Sequence, residues 1–266
     1  MTGRSQLNLV SDEEVLALSL QEYNSYIQTA KKSTDKEATA LVEKVGKKIA
    51  EAVTLYYQAV GDEAAIKNYS WEFNLVEDPQ ANAFCMPGGK IVVYSGILPI
   101  CQDEIGLAVV MGHEVGHAIA KHANERLSQQ TVVSGGSELV GALLGSSSEK
   151  TKAIASVVYG LGSQGMMLKY NRDQELEADR MGLILMAISG YDPNAAIPFW
   201  QRMGANSGGS IEFLSTHPSD NRRVSEIQKY LPEAMEYYDA IWTNKAKTPA
   251  TNTNTKPSSS SSEWRF

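Results

Sequence analysis

Two hydrophobic periods alternate along the chain, and the switches between them outline the fold. Ser11 followed by Glu14 forms a capping box, and the pattern behind it predicts a first helix to about Ala30. Thr34 with Glu37 repeats the signal. Leu41, Val45, Ile49, Val53 and Tyr56 then share one face of a second helix that ends near Gly61. From Ser70 the period shortens: Trp71, Phe73 and Leu75 alternate with polar residues, as in a half-buried strand. Asn82 to Met86 and Lys90 to Tyr94 flank Pro87-Gly88-Gly89, which predicts a hairpin. Asp103 to Gln130 reads as one long helix, apolar in its first half and charged in its second.

Beyond Gln130, apolar stretches from Leu139 to Gly145 and from Ala153 to Met167 predict two short helices joined by a serine turn. They serve either as core packing or as a lid beside a cleft. Arg172 to Ser189 is a further helix that Gly190 is placed to stop. Asp192-Pro193 opens another, and a last pair follows His217-Pro218-Ser219 with a break at Leu231-Pro232. From Lys245 the chain is mostly Thr, Asn, Pro and Ser, too polar to bury a core. The division expected is an N-terminal helix over 1–33, one domain over 34–244 and a disordered tail over 245–266. The fold class is α+β, predominantly helical, with a small sheet ahead of the long helix.

With 42% hydrophobic and 21% charged residues, the 266-residue chain has the composition of a soluble globular protein. A net charge of −7, with no Lys/Arg-rich run, argues against nucleic acid as a partner. No apolar run reaches the length of a transmembrane segment. The start, MTGRSQLNLVSDEE, has no apolar stretch of the kind a signal peptide carries. Cys85 and Cys101 read as free thiols.

The chemistry lies in His113-Glu114-Val115-Gly116-His117, in the middle of the long helix. Histidines four apart on a helix share a face, so their imidazoles can hold one Zn²⁺. Glu114 projects beside such a metal, where it can take a proton from water in metal-assisted hydrolysis. The apolar flanks mark a buried helix, and buried imidazoles need a partner. His122 follows His117 by five residues and faces elsewhere on a continuous helix, which makes it structural. In Glu175-Leu176-Glu177-Ala178-Asp179, Glu175 and Asp179 share a helix face. One can bind the metal while the other accepts a hydrogen bond from a ligating histidine. Glu177 lies about 200° around and points away.

HEVGH, ELEAD on a later helix, NAFCMPGGKIVV upstream and the His217-Pro218 segment downstream resemble one family, the HtpX, CAAX prenyl protease and Oma-type zinc metallopeptidases. The resemblance spans roughly residues 35–230. It implies a zincin-like core with one Zn²⁺ per chain, held by His113, His117 and Glu175. It makes Glu114 the general base and Asp179 the acid behind a ligand. Arg223 stands on the helix after His217-Pro218, as the family pattern has it. Two roles for His217 stay open: stabilising the oxyanion, or filling the metal's open position at rest. Asn82 and Ala83 are the expected substrate-docking edge strand, against the alternative of an ordinary core hairpin.

The resemblance implies a zinc-dependent endopeptidase acting on unfolded or extended protein segments, in cell-envelope protein quality control. The alternative is a zinc-binding chaperone-like or assembly factor with latent proteolysis. Because the chain lacks the transmembrane helices of HtpX and the prenyl proteases, it looks more like the soluble periplasmic branch. That implies a periplasmic location, with a lipid anchor in a longer precursor or, alternatively, the cytoplasm.

Overall fold

The computed structural model describes residues 3–133, 170–205, 213–214, 217 and 221–243. Helix α1, Asp12–Thr29, starts where the Ser11 hydroxyl accepts the amide of Glu14, as the capping box predicts. Helix α2, Lys36–Ala59, is capped by Asp35 rather than Thr34. The Asp35 carboxylate accepts the Ala38 amide at 3.0 Å, while Thr34 turns to Glu77. An ionised acceptor suits the positive end of a helix better than a hydroxyl does.

Strands β1 (Glu72–Val76), β2 (Ala83–Met86) and β3 (Lys90–Tyr94) form a sheet in the order β1-β3-β2. β3 runs parallel to β1 and antiparallel to β2, with Ala83 opposite Val93. As the central strand, β3 is buried throughout, and the Lys90 ammonium is paired with Glu72 at 2.6 Å. One face of the sheet packs under α1 through Tyr23, Val76, Met86, Val92 and Tyr94. Leu75, Ala83, Ile91 and Val93 on the other face join the main core.

The short α3, Leu98–Cys101, turns through Gln102 to Asp103, which caps α4 (Glu104–Ile119) by accepting the Gly106 amide at 2.8 Å. Every residue of α4 from Gly106 to Ile119 is buried. The single helix expected over Asp103 to Gln130 is two helices. α4 ends at Ile119, Lys121 adopts φ 57°, and α5 (His122–Val133) starts afresh. A left-handed lysine costs about 1–2 kcal/mol, and no glycine or proline marks the spot in the sequence.

Helix α6, Arg172–Ile188, opens with a reciprocal capping box between Asn171 and Gln174, and Gly190 at φ 84° stops it as predicted. Asp192 caps a 3₁₀ turn, Pro193–Ala195, that runs into α7, Ala196–Ala205. Helix α8, Asn221–Tyr238, continues through Pro232, where a break was expected. Leu231 and Ala234 are buried on either side of it. Packing of that face outweighs the hydrogen bond the proline removes. The helices expected within 139–167 and the tail over 245–266 lie outside the described residues.

α4 and α6 cross at very close range because glycines line the contact. A Cβ on Gly116 would lie 2.8 Å from the Ala178 carbonyl oxygen, and one on Gly182 would lie 3.0 Å from the His113 amide nitrogen. The fold is thus α+β and mainly helical, with its small sheet ahead of α4. Among the described residues no single helix is long and apolar enough to cross a membrane.

Candidate metal centre

The close crossing sets four side chains around one point. His113 and His117 come from α4 and Glu175 from the first turn of α6, while His217 precedes α8. One ligand atom from each lies within 4.8 Å of the others, and all four residues are buried. The Nε2 atoms of His113 and His117 are 3.0 Å apart. Glu175 Oε2 lies 3.4 Å from the first and Oε1 3.3 Å from the second. His217 Nδ1 is 2.9 Å from Glu175 Oε1 and 3.2 Å from His113 Nε2. His217 Nε2 approaches Glu114 Oε1 at 3.4 Å, and the Phe213 ring stacks on His217 at 4.5 Å between centres.

The residues behind the cluster fix which atoms face inward. His113 Nδ1 sits 2.9 Å from Asp179 Oδ1. Arg223 grips the same carboxylate with Nε at 2.8 Å and Nη2 at 2.7 Å. Its guanidinium lies over Trp200, 3.4 Å from the ring centre, and reaches Glu175 Oε2 at 3.1 Å. An acceptor-only carboxylate accepts a hydrogen bond from His113 Nδ1–H, which leaves the Nε2 lone pair of the neutral ring facing the cluster. Two imidazole lone pairs 3.0 Å apart repel unless a proton or a cation lies between them.

Electrostatics agree. Burial and Arg223 push the His113 imidazole down, yet Glu175 and Asp179 outweigh them and raise it to about 9. Burial holds His117 well below its ordinary value. Burial also opposes ionisation of Glu175, but His217, Arg223 and His113 keep that carboxyl far below the usual range. The two carboxylates thus favour positive charge at His113. Glu175 Oε2 and Glu114 Oε1 are buried without an aligned hydrogen bond among the described residues. Imidazole nitrogens and a carboxylate converging on one buried point fit a divalent cation.

Asn82 and Ala83 fall at the start of β2, an outer strand of the sheet. Ala83 is buried, and Asn82 Oδ1 accepts the Ala83 amide at 2.9 Å. Glu177 is not among the four clustered residues; its Oε2 lies 3.0 Å from His122 Nε2. His122 corrects the sequence reading. The break at Lys121 swings it back, so that its Nδ1 lies 2.8 Å from His117 Nδ1. Nothing in the periodicity signals that turn. Tyr170, stacked on His117 at 3.8 Å, also escaped the sequence reading, because it precedes α6 without any motif.

A mainly helical fold, with a small sheet ahead of an HExxH helix and an acidic helix crossing it, defines the zincin-like metallopeptidase class. Residues 43–231 match Peptidase family M48, and the chain belongs to that family. It is similar to the mitochondrial metalloendopeptidase OMA1 of Schizosaccharomyces pombe, 38% identical over 175 residues that cover 65% of this chain and 50% of that protein. To the protein of the same name from Saccharomyces cerevisiae it is 36% identical over 208 residues, covering 74% and 57%. To the beta-barrel assembly-enhancing protease of Yersinia pestis it is 30% identical over 168 residues, covering 59% and 34%. The chain spans about half the length of the curated OMA1 relatives it matches.

These relatives correct one expectation. Several relatives at 29–38% identity are named as mitochondrial, which contradicts the periplasmic or cell-envelope location. That location rests on the lack of transmembrane helices, and such a lack does not distinguish one compartment from another.

Proposed function

We propose that the chain is a zinc-dependent endopeptidase that cleaves unfolded or extended protein segments, in a protein quality-control role. The observation that carries the reading is the convergence of His113, His117 and Glu175 on one buried point, with Glu114 beside it. Their nitrogen and oxygen donors suit Zn²⁺. When bound there, zinc supplies a Lewis acid that acidifies water and polarises a carbonyl. Glu114 takes the proton of the attacking water and returns it to the leaving amine. Burial raises the Glu114 carboxyl above the ordinary carboxylate range, which suits a group that must both accept and donate. Asp179 and Arg223 orient His113 from behind.

The substrate edge is Asn82–Ala83. The Tyr94 amide donates to the Asn82 carbonyl at 3.0 Å, so the alternation of an antiparallel ladder turns the Ala83 and Cys85 backbone groups away from β3. An extended peptide beside β2 would meet the Ala83 carbonyl and the Cys85 backbone groups, the Ala83 amide being taken by Asn82 Oδ1, with little demand on its own side chains.

Digestion of an unfolded substrate such as casein tests the reading. Cleavage should stop with a chelator and return with added zinc, and Glu114→Gln should bind zinc without cleaving. Chelator-insensitive cleavage would contradict it.

A second reading, a chaperone-like or assembly factor with latent proteolysis, draws on His217. Its Nδ1 already stands where a fourth metal donor would, and a four-ligand site is closed, whereas a catalytic one keeps a position open. We infer that His217 is a resting-state latch on the same protease, so the two readings differ in how often the latch opens.

A further inference from the structure

We propose that His122 and Glu177 set the orientation and tautomer of His117 as a metal ligand, a task that a carboxylate alone performs for His113. The inference rests on the metal reading above. It starts from the break between α4 and α5. On a continuous helix, His122 would sit about 140° around from His117. With Lys121 at φ 57° its ring turns inward, is fully buried and packs edge-on against His117 with ring centres 4.9 Å apart.

Proton bookkeeping then fixes the direction of each hydrogen bond. His122 Nε2 lies 3.0 Å from Glu177 Oε2. Glu177 is held as an anion by Arg4, whose Nε donates to the same oxygen at 2.6 Å. An ionised carboxylate only accepts, so His122 carries its proton on Nε2 and presents a lone pair at Nδ1. That lone pair faces His117 Nδ1 at 2.8 Å and can only accept. His117 therefore carries its proton on Nδ1, and its Nε2 lone pair faces the metal point. The chain of donors runs from His117 through His122 to Glu177, each group with one role available to it.

The arrangement repeats the logic on the other ligand with one residue inserted. His113 donates directly to Asp179, which Arg223 holds; His117 donates through His122 to Glu177, which Arg4 holds. Helix α6 thus supplies a ligand, Glu175, and both anchoring carboxylates. The far end of the second relay comes from the chain's first residues. There Gln6 Nε2 also donates to the Ala120 carbonyl at 2.6 Å, and the Leu9 amide donates to Ser128 Oγ at 2.8 Å. This strap lies outside the family-matched segment 43–231, yet it braces the α4–α5 break and one ligand.

Zinc affinity of the full chain, measured by competition with a chromophoric chelator, tests the relay without reference to cleavage. Loss of such a supporting partner lowers metal affinity by about 10–100-fold. His122→Leu fills the space but cannot accept, and should show that loss with an unchanged far-UV spectrum. His122→Gln can accept from His117 and donate to Glu177, and should restore most of the affinity. Cobalt-substituted protein should show the same ranking through an altered visible spectrum in His122→Leu alone. Should His122→Leu fail to fold, Glu177→Leu at the other end of the relay carries the test, with loss of affinity again expected. Wild-type affinity in His122→Leu or Glu177→Leu overturns the relay, provided that His113→Ala abolishes binding. If the wild-type chain itself binds no zinc, the metal reading falls and the relay with it.

Discussion

The carbonyl oxygen of Ala178 lies 2.8 Å from where a Cβ on Gly116 would stand. Backbone therefore touches backbone between the helix of the two histidines and the helix of the acidic residues, and that contact brings Glu175 to His113 and His117. Gly116→Ala must push α4 and α6 apart. Overpacking of this kind costs about 1–3 kcal/mol. We predict a lower melting temperature together with weaker zinc binding. An alanine variant with wild-type values of both would show that the crossing does not set the ligand distances.

Asp179 balances the buried Arg223 and holds His113 at once. Removing one partner of a buried ion pair costs about 3–5 kcal/mol, an upper bound here because Arg223 keeps Glu175 Oε2 at 3.1 Å. Asp179→Ala should lose stability within that bound in denaturant unfolding and should also bind zinc less tightly. Double substitution of Asp179 and Arg223 by apolar residues should recover stability but not zinc affinity. Recovery of both would refute the orienting role of Asp179.

On the zinc reading proposed above, the metal and a proton compete for His113. Its metal-free value is raised to about 9, so the proton adds stability to the metal-free protein below the ordinary histidine range. That contribution disappears as pH rises through about 9. Metal binding requires the proton to leave, which sets the opposite sign for affinity. We predict that zinc affinity rises by about tenfold per pH unit from neutral pH towards 9 and then flattens. Calorimetry in buffers of different ionisation enthalpy should register about one proton released per zinc at neutral pH. A pH-independent affinity would contradict proton competition at His113.

His217→Ala separates the two roles left open by the sequence. A latch gives a gain in casein cleavage when removed, and an oxyanion donor gives a loss. The account predicts the gain; unchanged cleavage would remove both roles.

The parts of this molecule legible from sequence are those whose spacing alone fixes geometry. His113 and His117, and likewise Glu175 and Asp179, share a helix face in any helix, so their grouping needed no tertiary information. The strand pattern from Trp71 to Tyr94 and the caps at Ser11 and Gly190 were readable for the same reason. Asp35 displaced Thr34 as a cap because Glu77, distant in sequence, claimed the threonine. Lys121 broke a periodic pattern without a glycine or proline, and this hid the contact of His122 with His117. Pro232 looked like a stop because the burial of Leu231 and Ala234 that sustains the helix depends on the rest of the core. Gly112, Gly116 and Gly182 carry meaning only once their helices are set against each other.

The central claim is that three side chains from two helices hold a single cation. Elemental analysis of the purified chain, wild type beside Glu175→Ala, tests it most directly. The account predicts about one zinc per chain in the wild type and little or none in the variant after dialysis against a weak chelator. Equal zinc in both, or none in the wild type, would contradict it.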